Sequence, residues 1–376
     1  MTPHEHGLAA IGDTGLDRLP EAMRGLDELA LATTAEVLRR AGLFRPGVRH
    51  APEQVLDRLR VAPRHRWIAR GWLRALVEEH LLRRDPASGL LHDLSPTTPV
   101  AEVRARVPEL CARLGYPPAV SAFFLAAAER LPALLRDEIA VQSLLFDAGD
   151  TAAADGAYRG NVVNTYLNAV VAAVAAERLP TSRRARVLEV GAGVGGTALP
   201  LLAALRGRDL EYVFTDVSRF FLDSAPGVLG GDPRVRFALL DVNDPAATPP
   251  VPDADLVVAA NVLHNAVDVR DVLRRARSWL RPGGALVLVE SGRELRQASV
   301  SMQFLMSPAP GARPAGDGDL RAGQDRVFLT RDEWTAELGA AGLHVRTALP
   351  PTDHPLDALG QFAVIAERPT PHPNRS

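Results

Sequence analysis

The stretch "VLEVGAGVGGTALPLL", residues 187–202, sets four glycines (Gly191, Gly193, Gly195 and Gly196) behind a short apolar run that ends in a carboxylate, Glu189. A Val/Leu-rich run bounded by glycine predicts a buried strand, and the Ala/Leu-rich stretch after Thr197 predicts a helix. The turn between them is a strand-to-helix elbow. Glycine there lets backbone pass close to a ligand, and the helix N-terminus offers free N–H groups. The elbow therefore points to a nucleotide-like ligand.

Downstream of about residue 150 the pattern alternates. Strands are predicted at Arg186–Val190, Tyr212–Thr215, Val235–Leu240, Leu256–Ala260, Ala285–Glu290 and Phe362–Ala366, with helices between them. This βαβα order predicts a doubly wound, mostly parallel, Rossmann-like sheet that binds ligands at the C-terminal ends of its strands. The Pro/Gly-rich stretch 307–319 reads as a mobile loop over the same edge.

Upstream the periodicity is helical, and the chain divides into an all-α, winged-helix-like domain (1–150) and an α/β domain (151–376). Residues 1 to about 25 read as a loosely ordered arm. Segments 27–44 and 64–84 are amphipathic, and 85–96 has the Pro and Gly of a small wing. Arg66, Arg70 and Arg74 fall on one stripe of the second helix, a pattern that could meet DNA phosphates. Glu78 and Glu79 on the same helix favour a solvated face, so the expected role of this half is an active-site lid or a dimer contact, making a homodimer an expectation.

The net charge of -2 gives no global attraction to nucleic acid or anionic membrane. One cysteine, Cys111, permits no internal disulfide, and the scattered histidines suggest no metal site. All 43 basic residues are arginine; without lysine, Schiff-base and P-loop chemistry are excluded within this chain. With no signal segment or membrane-length apolar run in the sequence, the expected location is cytoplasmic.

Two later strand ends narrow the ligand. "EYVFTDVSRFFLDSA" (211–225) ends its strand in Asp216, suited to two ribose hydroxyls, and "VRFALLDVNDP" ends in Asp241, suited to an adenine amino group. Together with the glycine elbow and "YRGNVVNTYLN" (158–168), these segments resemble the class I S-adenosylmethionine-dependent methyltransferases. Within that class the chain resembles the C-methyltransferase domains of polyketide and nonribosomal peptide synthases over about residues 155–368. The resemblance implies S-adenosyl-L-methionine as cofactor. It places Gly191, Gly193 and Gly195 at the methionine part, Asp216 at the ribose, Asp241 at the adenine and Asn261 beside the sulfonium. Tyr158, Glu189, Val217 and Val242 join this cofactor-binding set.

Methyl transfer from a sulfonium needs an aligned donor and a nucleophilic acceptor, and no metal. His264, in "NVLHNAVD", is the candidate base, and by the family's pattern Glu290 comes alongside to orient it. The expected reaction of natural-product biosynthesis is methylation of carbon alpha to a carbonyl, on a small molecule or a carrier-protein-tethered acyl substrate. No ketosynthase, carrier or adenylation segment is present, so the chain is expected to act free-standing. The alternatives are a winged-helix O-methyltransferase, in which Asp268 would follow the histidine as its acid, a non-methylating cyclase, and a ligand-sensing regulator.

Overall fold

The computed structural model describes residues 1–146 and 152–370; the predicted domain boundary at 150/151 lies outside the described residues. The first helices are α1 (Pro3–Ile11), α2 (Leu19–Arg40), α3 (Pro52–Leu59) and α4 (Arg66–Glu78). They are followed by α5 (Val100–Arg113), α6 (Pro118–Glu129), α7 (Leu131–Leu135) and α8 (Gln142–Leu145). Between α4 and α5 lies an antiparallel pair of two-residue strands, β1 (Arg83–Arg84) and β2 (Leu91–His92). Asp85 closes the turn between them by accepting the Ala87 and Ser88 N–H groups. This is the wing expected from 85–96, set in an otherwise helical half.

The predicted loose arm is corrected. Thr2 and Glu5 form a capping box that starts α1, and α1 packs on α10 (Val162–Arg178). A side chain at Gly7 would lie 2.6 Å from the Tyr166 ring, so the close approach depends on glycine. His4 Nδ1 lies 2.6 Å from the Tyr166 hydroxyl.

After α9 (Ala152–Tyr158) and α10 comes a seven-stranded sheet. Its strands are β3 (Ala185–Val190), β4 (Leu210–Asp216), β5 (Val235–Leu239), β6 (Ala254–Ala260), β7 (Leu280–Ser291), β8 (His344–Leu349) and β9 (Gln361–Glu367), in the order β5-β4-β3-β6-β7-β9-β8. β3 to β7 pair in parallel, and β9 runs antiparallel to both β7 and β8. The order reverses between β3 and β6, which makes the crevice above their C-terminal ends the natural ligand site of a doubly wound sheet.

Alternate residues of each central strand enter two cores, one containing Val187, Tyr212, Phe214 and Val258 and the other Leu188, Val213, Val257 and Leu286. Burial on both faces explains the near-continuous apolar runs of β3, β6 and β7. The first core continues without interruption into α2, α4, α5 and α6. The second packs under α13 (Val269–Trp279) and α15 (Arg331–Ala340) through Trp279, Trp334 and Leu338.

The arginine stripe of α4 faces carboxylates. Arg66 binds Glu53 and Asp57, both at 2.8 Å. Arg70 makes a two-pronged contact with Asp325 at 2.8 Å, and Arg74 donates to the Asp325 carbonyl at 3.0 Å. The stripe thus fastens the helical half to the loop before α15. His65 and Trp67 extend this seam by binding the Ser307 hydroxyl at 2.7 and 3.2 Å.

Candidate active site

A cavity of about 480 Å³ opens over the β3/β6 reversal point. Tyr158, Glu189, Gly191, Gly193, Asp216, Val217, Asp241, Val242 and Asn261 all line it. Gly195 does not. Its backbone sits at φ 75, and a Cβ there would point toward Val228 and Phe214, behind the loop, so it serves the turn rather than the cavity wall.

The elbow is built as its sequence requires. Gly191 has φ 61, and a Cβ on it would lie 2.3 Å from Val262, another lining residue. Any side chain there would strain the backbone and push β6's exit loop away. Asp216 ties the elbow to the next strand by accepting the Gly193 N–H at 2.9 Å and the Ser218 N–H at 2.8 Å. Asp241 accepts the Asn243 N–H at 2.8 Å.

Glu189 is fully enclosed beneath the elbow and accepts the Tyr212 hydroxyl at 2.6 Å. Burial pushes its carboxyl up to about 8; the Tyr212 bond opposes this and the Asp216 charge adds to it. Asn261 directly follows β6 with φ 54, a left-handed conformation that costs about 1 kcal/mol for a residue with a side chain. Strain of this kind collects at functional sites.

His264 lies on the same exit loop and is 4% exposed; Glu290, on β7, is 0% exposed. The His264 Nδ1 and a Glu290 carboxylate oxygen are 2.7 Å apart. The other carboxylate oxygen accepts the N–H groups of Val262 and His264, both at 3.2 Å. A carboxylate facing Nδ1 fixes the proton there, which leaves the Nε2 lone pair as the basic site. Asn265 Nδ2 lies 3.1 Å from that lone pair, and Asn265 also lines the cavity. Phe328 covers the ring at 5.0 Å between centroids.

The segment after Met306 is anchored to this loop. Gly316 and Gly318 donate to the carbonyls of Ala266 and Val267, both at 2.9 Å. Arg321, fully buried, donates to the carbonyls of His264 at 2.7 Å, Val327 at 2.5 Å and Ala266 at 2.9 Å, and pairs with buried Asp319 at 2.7 Å. Burial opposes the Asp319 charge, but hydrogen bonds from Arg321 and the Val269 N–H hold its carboxyl below the usual range. The expected mobile loop therefore contains a buried clamp on the loop that carries His264. Asp268 caps α13 by accepting the Arg270 and Asp271 N–H groups, and the acid on His264 is Glu290.

The sequence reading missed several cavity residues: Asn164, Asn168 and Thr197 below the elbow, and Asn243 and Asn265 at the strand exits. Asn243 accepts the Val267 N–H at 2.8 Å and donates to the Asn265 carbonyl at 3.2 Å, joining the exits of β5 and β6. Asn243 and Asn265 are single polar residues in strand-exit loops and carry no periodic signal, whereas Asn164 and Asn168 lie one turn apart on α10.

Residues 188–286 match the family model described as a methyltransferase domain. Over 337 residues, 85% of this chain, the sequence is 38% identical to polyketide synthase ThaG of Burkholderia thailandensis, of which it covers 6%. Over 357 residues, 92% of this chain, it is 29% identical to pyochelin synthetase PchF of Pseudomonas aeruginosa, of which it covers 19%. The chain thus spans a fifth or less of these relatives' length. The crystal structure of CurJ carbon methyltransferase has the same fold, with a TM-score of 0.80 at 23% identity over 98% of this chain and 100% of that one.

The chain has the fold of the class I methyltransferases, and residues 188–286 of it match a methyltransferase domain. Over most of its length its sequence is similar to segments of a polyketide synthase and of a pyochelin synthetase, and its fold to that of a carbon methyltransferase.

Proposed function

We propose that the protein methylates a carbon alpha to a carbonyl, with His264 as general base and Glu290 as its orienting partner. The observation that carries this reading is the buried 2.7 Å contact between His264 Nδ1 and Glu290, beside a cavity lined by the strand-end acids. That cavity suits S-adenosylmethionine: Gly191 leaves room where a Cβ would collide, and Asp216 and Asp241 offer acceptors at successive strand ends. Bound there, the cofactor supplies an electrophilic methyl group. Asp216 would hold the ribose hydroxyls, Asp241 the adenine amino group, and the elbow around Gly191 and Gly193 the methionine portion.

His264 Nε2 takes the proton from the acceptor carbon, and the electron pair left on that carbon is the nucleophile. Glu290 holds the proton on Nδ1 beforehand and stabilises the imidazolium afterwards. Asn265, now against Nε2, must yield that position to the acceptor. Synthase relatives support an acyl group tethered to a carrier protein as acceptor, with a free thioester as the small-molecule counterpart.

The test uses S-adenosylmethionine labelled with carbon-13 in the methyl group, offered with a β-ketoacyl thioester or with a phenol. NMR should show the label bonded to carbon of the thioester. Label on phenol oxygen alone would refute the assignment.

A further inference from the structure

The helical half carries a second and larger concavity, of about 850 Å³, between the C-terminal turns of α2 and α3, the start of α5 and the α6–α7 junction. Five arginines (Arg40, Arg58, Arg60, Arg104 and Arg136) and two glutamates line it, in a chain whose net charge is -2. Between them lie apolar surfaces of Val37, Leu59, Val100 and Leu135. Glu36 pairs with Arg40, Glu129 with Arg104 at 3.2 Å, and Glu138 with Arg136 at 2.7 Å. Among the described residues, exposed Arg58 and Arg60 have no ion-pair partner. Arg60 is also held at φ 56 behind α3, a conformation that glycine takes more readily. A charged residue occupies a position that local backbone preference would give to glycine.

The groove shares no lining residue with the candidate active site, but two runs of chain link the walls of one to the other. The chain that lines it with Pro132, Leu135 and Arg136 continues to Gln142, Leu145 and Phe146 of the cofactor cavity. On the other side, Ala62 donates to the Leu135 carbonyl and Arg64 pairs with Asp137 at 3.3 Å. Pro63 and Arg64 in turn border a cleft of about 290 Å³ that reaches Met306, Arg321 and Val327, next to His264.

We propose that this groove docks an acidic carrier protein, so that the acyl thioester it bears enters the neighbouring cleft toward His264. The inference rests on the carrier-tethered acceptor proposed above. Unpaired arginines around an apolar floor fit a partner that presents acidic side chains about an apolar helix face. Docking of this kind steers encounter and weakens as salt screens it.

The test pairs two substrates of the full chain: an acyl carrier protein bearing an acetoacetyl-phosphopantetheine arm, and the same acetoacetyl group on N-acetylcysteamine. Carrier binding by fluorescence anisotropy should be salt-sensitive. In the Arg58→Glu/Arg60→Glu double variant, carrier affinity should fall about tenfold or more, with KM for the carrier substrate rising in parallel. Turnover of the free thioester should be unchanged. Arg60→Gly removes one charge while relieving the left-handed backbone, so it should weaken carrier binding without loss of thermal stability. Wild-type carrier affinity in both variants would overturn the docking proposal while leaving the methylation reading intact, as would salt-insensitive carrier binding by the wild type. If the wild type methylated carbon of neither substrate, the functional reading and the docking proposal would fall together.

Discussion

Replacing Glu290 with glutamine leaves the shape of the site and changes one atom that matters. Glu290 accepts three N–H groups and is entirely enclosed. Glutamine can keep the two backbone bonds through its carbonyl oxygen, but its amide nitrogen then faces His264 Nδ1. The histidine must move its proton to Nε2, where it can no longer accept one, or keep it on Nδ1 against another donor. The charge-assisted bond to the imidazolium is lost at about 1.5–3 kcal/mol, and the mismatched donor costs about 1–3 kcal/mol more. A total of about 2.5–6 kcal/mol corresponds to a fall of about 10²- to 10⁴-fold in the rate of methyl transfer. Glu290 does not line the cavity proposed to hold the cofactor, so calorimetry should show the affinity for S-adenosylmethionine unchanged. The assay is single-turnover transfer of labelled methyl at saturating cofactor. A loss smaller than tenfold, or an equal loss of cofactor affinity, would refute the assigned role of Glu290.

Three other substitutions probe different parts of the site. Asp216→Ala removes both the proposed ribose acceptor and the tie to Gly193, and calorimetry should detect no S-adenosylmethionine binding; unchanged affinity would remove Asp216 from the cofactor site. Because burial raises the Glu189 carboxyl to about 8 in the folded chain, the folded state retains a proton that the unfolded state loses near pH 4.5. Its contribution to stability should therefore be greatest below that pH and decline by at most about 1.4 kcal/mol per pH unit until pH 8. Glu189→Gln should flatten this decline in melting curves between pH 5 and 8, and an identical pH profile would contradict it. Arg321→Ala strands buried Asp319 and three carbonyls, so it should cost about 3–5 kcal/mol in denaturant unfolding; a cost below about 1 kcal/mol would mean that the segment does not clamp the His264 loop.

The sheet was legible because its central strands are buried on both faces and therefore read as apolar runs, and because β3 leads into glycine while β4 ends in an acid. β8 escaped the sequence reading: "HVRTAL" is an edge strand whose exposed His344 and Arg346 interrupt the pattern. α1 was hidden by its composition, since what seats it on α10 is the absence of a side chain at Gly7. The arginine stripe of α4 was visible as a stripe, but its partner Asp325 lies 255 residues from Arg70, so no local pattern could name it. In the glycine run, Gly191 and Gly195 read alike, and only the path of the backbone separates the residue at the cavity wall from the one behind the turn. His264 and Glu290 were paired through family likeness; β6 and β7 lie side by side in parallel, which brings the exit of one to the end of the other. Asn265 and the Arg321 clamp depend on loop conformation, for which periodicity gives no guide.

The central claim is that carbon methylation here runs through His264. Its most direct test measures two quantities on the wild type and on His264→Ala: affinity for S-adenosylmethionine by calorimetry, and transfer of a carbon-13 methyl group to the alpha carbon of a β-ketoacyl thioester by NMR. The account predicts similar cofactor affinity in both proteins and a carbon-bound labelled methyl group formed by the wild type only. Undiminished carbon methylation by the variant would contradict it.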